Sequence, residues 1–229
     1  MHWGDFPSVF EKKFSTQVEC IDFPGVGEFY QGEGVQSIEA IADHVFEQMD
    51  KRSLKTVNVL AHSLGAMVSS AMLQKEPSRF DQCVWINTSF ANLSPWYKRM
   101  NIKNISKLTT LFVYFDQPDV REKIIYELTT NMHHDRSLIQ AWVEIQKEHP
   151  IVKKTVFHQL WAASRYRCES LPQKNILLLA SKKDHFVDVS CIEAIASKFQ
   201  LPIVFHEEAG HDIPVDDPEW ICKQIASHF

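Results

Sequence analysis

Ser63 lies in a segment, LAHSLGAM (60–67), that could place a nucleophile on a sharp turn between a strand and a helix. Such a turn strains the serine backbone and needs small neighbours two residues away. Ala61 and Gly65 meet that requirement. The N–H of Leu64, at the start of the helix, would face a negatively charged oxygen. The alternative is that Ser63 only caps the helix.

An acid and a base follow two later strand patterns. Asp184 comes just after the apolar run at 174–180, and His211 comes just after the run at 201–207. A serine hydroxyl becomes nucleophilic when a histidine takes its proton and a carboxylate orients that histidine. Functional groups collect at the carboxyl ends of parallel strands. The order Ser63, Asp184, His211 therefore predicts a nucleophile, an acid and a base at one sheet edge.

Other polar residues near these positions have simpler interpretations. Asp188 is the competing acid, but it stands where a helix begins and is interpreted as its cap. Asp212 should point away from the site, and Asp216 and Asp217 precede Pro218 like caps of the last helix. His62 should also point away from Ser63; packing against a neighbour is favoured over lining a pocket.

The hydrophobic pattern predicts alternating strands and helices. Strands are predicted at 17–22, 56–60, 83–87, 174–180 and 201–207, and helices at 37–52, 64–76 and 218–229. This alternation predicts an α/β fold with a mostly parallel sheet between helices. Residues 1–89 and 174–229 form the predicted core, and residues 90–173 a helical insertion.

The insertion is rich in large apolar side chains. It includes Trp96, Phe112, Phe115, Trp142, Phe157 and Trp161. Packing inside the insertion is the favoured interpretation, and lining a pocket beneath it is the alternative.

Composition excludes several classes of protein. The net charge of −5 argues against a nucleic-acid binder. No apolar run approaches the roughly 20 residues of a membrane span, and no signal peptide is recognised, so no membrane partner is expected. The five scattered cysteines contain no CxxC pair, which favours reduced thiols in the cytoplasm. HHD at 133–135 is interpreted as a solvated helix end, and no metal site is expected.

Several segments together resemble the α/β-hydrolase fold family. They are CIDFPGVG, LAHSLGAM, VWINTSF, LLLASKKDHFVD and EEAGHDIPVDDPEW. The resemblance covers about 20–90 and 174–229, with the insertion as a helical cap, and is greatest to small bacterial carboxylesterases. It implies a triad of Ser63, Asp184 and His211, the N–H of Leu64 as one oxyanion donor, and no cofactor. The expected substrate is a small or medium ester or a related acyl compound.

Two other functions stay open. One is a hydrolase-like scaffold used for binding, and the other is the same fold with a different reaction, such as C–C hydrolysis or a lyase reaction. The oligomeric state is also open, with a homodimer as one option.

The chain departs from the family at its start. The resemblance implies an upstream strand, between 17–22 and 56–60 in the sheet, and a loop that donates a second oxyanion N–H. Neither precedes MHWGDF, where Trp3 or Gly4 is a substitute donor. Three explanations are open: an upstream start, direct pairing of the two strands, or pairing with another chain. The first is favoured, and this chain alone is expected to be a poor enzyme.

Overall fold

Four parallel strands form the central sheet. The computed structural model describes residues 3–132 and 136–229. The strands are β1 (Val57–His62), β2 (Phe80–Ile86), β3 (Asn175–Ser181) and β4 (Ile203–His206), and they lie side by side in chain order. Because all pairs are parallel, the carboxyl ends of the strands share one edge.

Helices flank the sheet and fill the connection between β2 and β3. They are α1 (Phe6–Phe14), α2 (Ile38–Lys51), α3 (Leu64–Lys75), α4 (Trp96–Arg99), α5 (Ile105–Val113), α6 (Pro118–Thr129), α7 (Arg136–Glu148), α8 (Lys153–Arg165), α9 (Ser190–Phe199), α10 (Ile213–Asp216) and α11 (Pro218–His228). Among the described residues between β2 and β3 there are helices and turns but no strand. The HHD motif at 133–135 lies outside the described residues.

The two faces of the sheet are covered by separate apolar cores. Along β3, Ile176, Leu178 and Ala180 pack into one core, while Leu177 and Leu179 pack into the other. Successive side chains of a strand point to opposite faces. A strand buried on both faces must therefore be apolar at every position, which explains the run ILLLA.

Local signals set the helix boundaries that the sequence predicts. The Ser37 hydroxyl accepts a hydrogen bond from the N–H of Ala40 at 3.1 Å, which caps α2. Pro77 cannot continue α3, which ends at Lys75. The Asp217 carboxylate accepts from the N–H of Trp220 and caps α11. The predicted helices at 37–52, 64–76 and 218–229 are thus confirmed.

The predicted strand at 17–22 is wrong. This segment has no regular secondary structure, and side chains hold its backbone instead. Glu11 accepts from the N–H of Val18 at 2.9 Å, and Arg52 donates to the carbonyl of Cys20 at 3.0 Å. A strand requires a partner for its backbone groups, and β1 lies across a groove. Direct pairing of 17–22 with β1 is therefore excluded.

No helix among residues 3–132 and 136–229 is both long and apolar enough to cross a membrane.

Candidate active site

Ser63 stands on a strained turn at the carboxyl end of β1. Its backbone has φ of 51° and ψ of −114°, a conformation that a residue with a side chain rarely adopts. The N–H of Ser63 donates to the carbonyl of Ile86 at 2.9 Å, and the Thr88 hydroxyl donates to the carbonyl of Ser63 at 2.9 Å. These bonds to the end of β2 hold the strained turn in place.

Small neighbours make this turn sterically feasible. A Cβ added to Gly65 would lie 3.8 Å from the Cβ of Ala61, an ordinary contact distance. The methyl group of Ala61 therefore fits, but larger side chains at both positions would collide. Leu64 is the first residue of α3, where an N–H has no carbonyl of its own helix to bind. That N–H is available to a developing negative charge beside Ser63.

Asp184 and His211 form a buried pair at the same sheet edge. Asp184 Oδ2 lies 2.7 Å from His211 Nδ1, and both side chains are at most 4% exposed. The other oxygen, Asp184 Oδ1, accepts from the N–H groups of Phe186 and Val187 at 2.7 and 2.9 Å. These bonds fix the carboxylate, so the imidazole has a defined tautomer with its proton on Nδ1.

The electrostatics of this pair suit a general base. Burial lowers the pKa of His211, but the charge and hydrogen bond of Asp184 outweigh burial and leave that pKa above its usual value. The ring of Phe186 packs 5.1 Å from the imidazole and shields it.

Ser63 is next in the chain to His62, a residue that contacts this pair. Among the described residues, no hydrogen bond joins Ser63 Oγ to His211. The structure links them through His62, whose Nε2 lies 3.0 Å from the carbonyl oxygen of His211 and whose ring centroid lies 4.6 Å from that of His211. Of the three predicted catalytic residues, Asp184 and His211 are joined by a hydrogen bond, and Ser63 stands at the end of β1 with no hydrogen bond to either among the described residues.

A large groove begins at Ser63 and follows the outer edge of β1. Its volume is about 1080 Å³, and residues 16–23 and the aromatic face of α1 line its other sides. Trp3, His62 and Leu64 lie at the end of the groove nearest Ser63. The rings of Trp3 and His62 meet edge to face, with 6.2 Å between their centroids. His62 thus both packs on its neighbours and lines the groove.

A family model with the description "Alpha/beta hydrolase family" matches residues 1–224 of the chain. The chain belongs to this family. No curated protein sequence matches it.

Solved structures agree on the fold. A bacterial membrane phospholipase A superposes with a TM-score of 0.76 at 17% identity, covering 98% of this chain and 74% of that one. An esterase from Exiguobacterium antarcticum has a TM-score of 0.73 at 14% identity, covering 90% and 78%. A 2-hydroxy-6-oxo-6-phenylhexa-2,4-dienoate hydrolase from Rhodococcus has a TM-score of 0.64 at 13% identity, covering 86% of this chain and 73% of that one. At these identities the likeness concerns the fold.

Two buried residues that sequence reasoning missed hold the histidine loop of this alpha/beta hydrolase. Asn87 Nδ2 donates to the carbonyl of His211 at 2.6 Å, and its Oδ1 accepts from the N–H of Ser181 at 2.8 Å. Asp216 accepts from the N–H groups of Gly210, Asn131 and Met132. The prediction of Asp216 as a helix cap is therefore wrong, because its carboxylate points inward and ties the end of α6 to the loop of His211.

Only part of this could be read from the sequence. Asn87 follows a strand at the functional edge, which is a usable signal. Nothing local distinguishes Asp216 from the neighbouring cap, Asp217. Of the alternative acids, Asp188 accepts from the N–H of Ser190, and Asp212 Oδ1 lies 3.5 Å from His62 Nε2. Within the described residues, no group of three or more His, Cys, Asp or Glu side chains is placed to hold a metal ion.

We expect His62 to make stability depend on pH. Burial, followed by the nearby charge of His211, lowers the pKa of His62 to about 4. Between about pH 6.5 and 4 the unfolded chain binds a proton at this position that the folded chain does not. The free energy of unfolding should therefore fall by up to about 3 kcal/mol as the pH drops through that range. Urea unfolding at pH 7 and at pH 4.5 measures the difference.

His62→Gln removes the titrating group and should flatten this pH dependence. His211 acts in the opposite direction, because its raised pKa favours the folded state at low pH, so only the comparison with the parent protein isolates His62. His228→Gln, at the exposed end of α11, is the matched control. An equal loss of stability in all three proteins would rule His62 out as the cause.

Proposed function

We propose that this member of the alpha/beta hydrolase family is a serine hydrolase that cleaves carboxylic esters through an acyl-enzyme on Ser63. The observation that carries the proposal is the buried Asp184–His211 bond at the same sheet edge as the strained Ser63. Strained serines beside a carboxylate-oriented imidazole are suited to nucleophilic attack.

His211 acts as the base and then as the acid. Its Nε2 takes the proton of the Ser63 hydroxyl as Oγ bonds to the ester carbonyl carbon, whose oxygen becomes an anion. The N–H of Leu64 donates to that anion, and Trp3 and His62 contact the substrate from the groove. As the carbonyl reforms, the bond to the alcohol oxygen breaks and His211 returns the proton to the departing alcohol. Water, activated by His211, then releases the carboxylic acid and restores Ser63.

Asp184 keeps the imidazole oriented and stabilises its charged form. Two backbone N–H groups and the imidazole N–H donate to its carboxylate and hold it in position. The lack of a hydrogen bond between Ser63 Oγ and His211 among the described residues is compatible with this role, since catalytic hydrogen bonds in unliganded enzymes often tighten only when substrate binds. No cofactor takes part in the proposed reaction.

The second candidate is a binding scaffold that has kept the fold without the reaction. It is favoured by the missing hydrogen bond between Ser63 and His211 among the described residues and by the open groove along β1.

We also propose a cytoplasmic location. This proposal rests on the cysteines, which are all free thiols and, apart from Cys20, buried.

A fluorophosphonate probe separates the two candidates. We expect the probe to label Ser63, and we expect Ser63→Ala and His211→Ala to lose labelling, because the phosphorus is attacked only by an activated hydroxyl. Ser197→Ala, at an exposed serine of α9, should label like the parent. Circular dichroism checks folding. A folded parent protein that takes up no label would favour the scaffold.

A further inference from the structure

Exposed apolar side chains are concentrated in the insertion. Of the thirteen large apolar residues that are exposed among the described residues, twelve lie between 96 and 161. Trp96 and Val113 are both 68% exposed, and Ile105 is 64% exposed. The sequence expectation that these aromatic residues pack inside the insertion therefore holds for Phe115 and Trp142 but is wrong for the others. Apolar surface concentrated in this way marks a docking site.

Helix α5 is the clearest case. It contains no buried residue, although Ile105, Leu108, Leu111, Phe112 and Val113 make it largely apolar. Its main contacts are with α6 and with the turn that precedes it. Ile105 and Phe112 are seven residues apart and hence on one side of the helix, and both are at least half exposed. That side has no partner among the described residues.

The charged side chains within this segment are all basic, and Asp188, from the loop that follows β3, is an acidic neighbour of Lys98 and Lys103. Residues 82–115 contain Lys98, Arg99, Lys103 and Lys107 and no acidic residue, in a chain whose net charge is −5. Lys103 and Lys107 are exposed, and neither forms an ion pair among the described residues. Lysines beside exposed apolar and aromatic side chains are characteristic of helices that lie on anionic lipid surfaces.

We propose that α4, the turn at Ile102–Asn104 and α5, here called the docking surface, bind the surface of a bilayer that contains anionic phospholipid. Ile105 and Phe112 would enter the interface while Lys103 and Lys107 contact the headgroups. A second copy of this chain is a poorer occupant, because a symmetric pair would bring the same unpaired lysines together. The expectation of no membrane partner rested on the lack of a spanning segment, which surface binding does not require.

The docking surface is attached to the candidate active site. The N–H of Asn101 donates to the carbonyl of Phe186 at 3.0 Å, and the Asn104 amide donates to the carbonyl of His185 at 2.6 Å. Both acceptors belong to the loop of Asp184, and Phe186 packs on His211. Lipid binding would therefore place this loop beside the bilayer. The resulting substrate class, an ester carried in a lipid surface, rests on the proposed function, whereas the binding itself does not.

Vesicle co-sedimentation tests the binding. The parent protein should bind vesicles of equal phosphatidylglycerol and phosphatidylcholine, bind phosphatidylcholine vesicles weakly, and lose binding as salt is raised. Lys103→Glu/Lys107→Glu should weaken binding at least 25-fold, since each lysine contributes about fivefold. Ile105→Ser/Phe112→Ser should weaken it at least tenfold. Phe229→Ser, an exposed apolar residue outside the insertion, is the matched control.

Three outcomes would overturn the proposal. They are no binding to the anionic vesicles at low salt, binding that both double variants retain, and a lipid-free dimer that Ile105→Ser/Phe112→Ser dissociates in sedimentation velocity. The proposed hydrolase activity is measured separately, as hydrolysis of soluble p-nitrophenyl acetate without vesicles. Activity that depends on Ser63 without vesicle binding would refute only the docking surface. Vesicle binding without such activity would refute only the hydrolase.

Discussion

Replacing Ser63 with alanine is expected to lower kcat for p-nitrophenyl acetate by about 10⁶. Without the hydroxyl there is no acyl-enzyme, and His211 has no side-chain proton to take. The residual rate would come from substrate binding and the N–H of Leu64 alone. Ser197→Ala, in α9, should retain full activity. A Ser63→Ala protein that keeps more than a small fraction of the parent rate would contradict the proposed nucleophile.

Ser63→Gly separates the strain of this position from its chemistry. Glycine adopts positive φ without the steric cost that Ser63 carries at 51°. We expect Ser63→Gly to be as inactive as Ser63→Ala. Its free energy of unfolding should be about 1 kcal/mol higher than that of Ser63→Ala. Glycine relieves about 1–3 kcal/mol of backbone strain, and the larger conformational entropy that glycine loses on folding offsets part of this gain. Equal stability of the two variants in urea would show that the turn is not strained.

Asp184→Asn is expected to lower kcat by about 10⁴. The amide cannot stabilise the imidazolium, and its NH₂ group can turn the imidazole to the wrong tautomer. Asp188→Asn is the matched control, because Asp188 is the competing acid in the sequence and its carboxylate accepts from Ser190 at the start of α9. A large loss in Asp188→Asn with little loss in Asp184→Asn would exchange the two assignments.

The pH profile gives Asp184→Asn a readout that a folding defect would not produce. The proposed mechanism needs neutral His211, so kcat/KM of the parent should rise with pH through the pKa of His211, which Asp184 holds above the usual value. Removal of the negative charge lowers that pKa. The midpoint of the residual activity should therefore move to lower pH in Asp184→Asn and stay unchanged in Asp188→Asn.

Most of the sheet could be predicted because its strands carry their own signals. The run at 174–180 is apolar at nearly every position, and only a strand buried on both faces requires that pattern. The segment at 17–22 contains the apolar residues Val18, Cys20 and Ile21 but is not a strand, because a strand needs a neighbour to pair with and a groove lies where that neighbour would be. The hydrophobic pattern of a segment shows which of its residues are apolar, but it does not show which other segment lies next to it in the fold.

The sequence by itself determined the candidate nucleophile, acid and base, because each follows a strand and parallel strands end at one edge. It also determined the turn at Ser63, since Ala61 and Gly65 leave room for it. Only the tertiary structure decided that Asp184 bonds His211, that Asp216 supports the loop of His211 instead of capping a helix, and that α5 exposes its apolar side. These depend on contacts between residues far apart in the chain, which local composition does not encode.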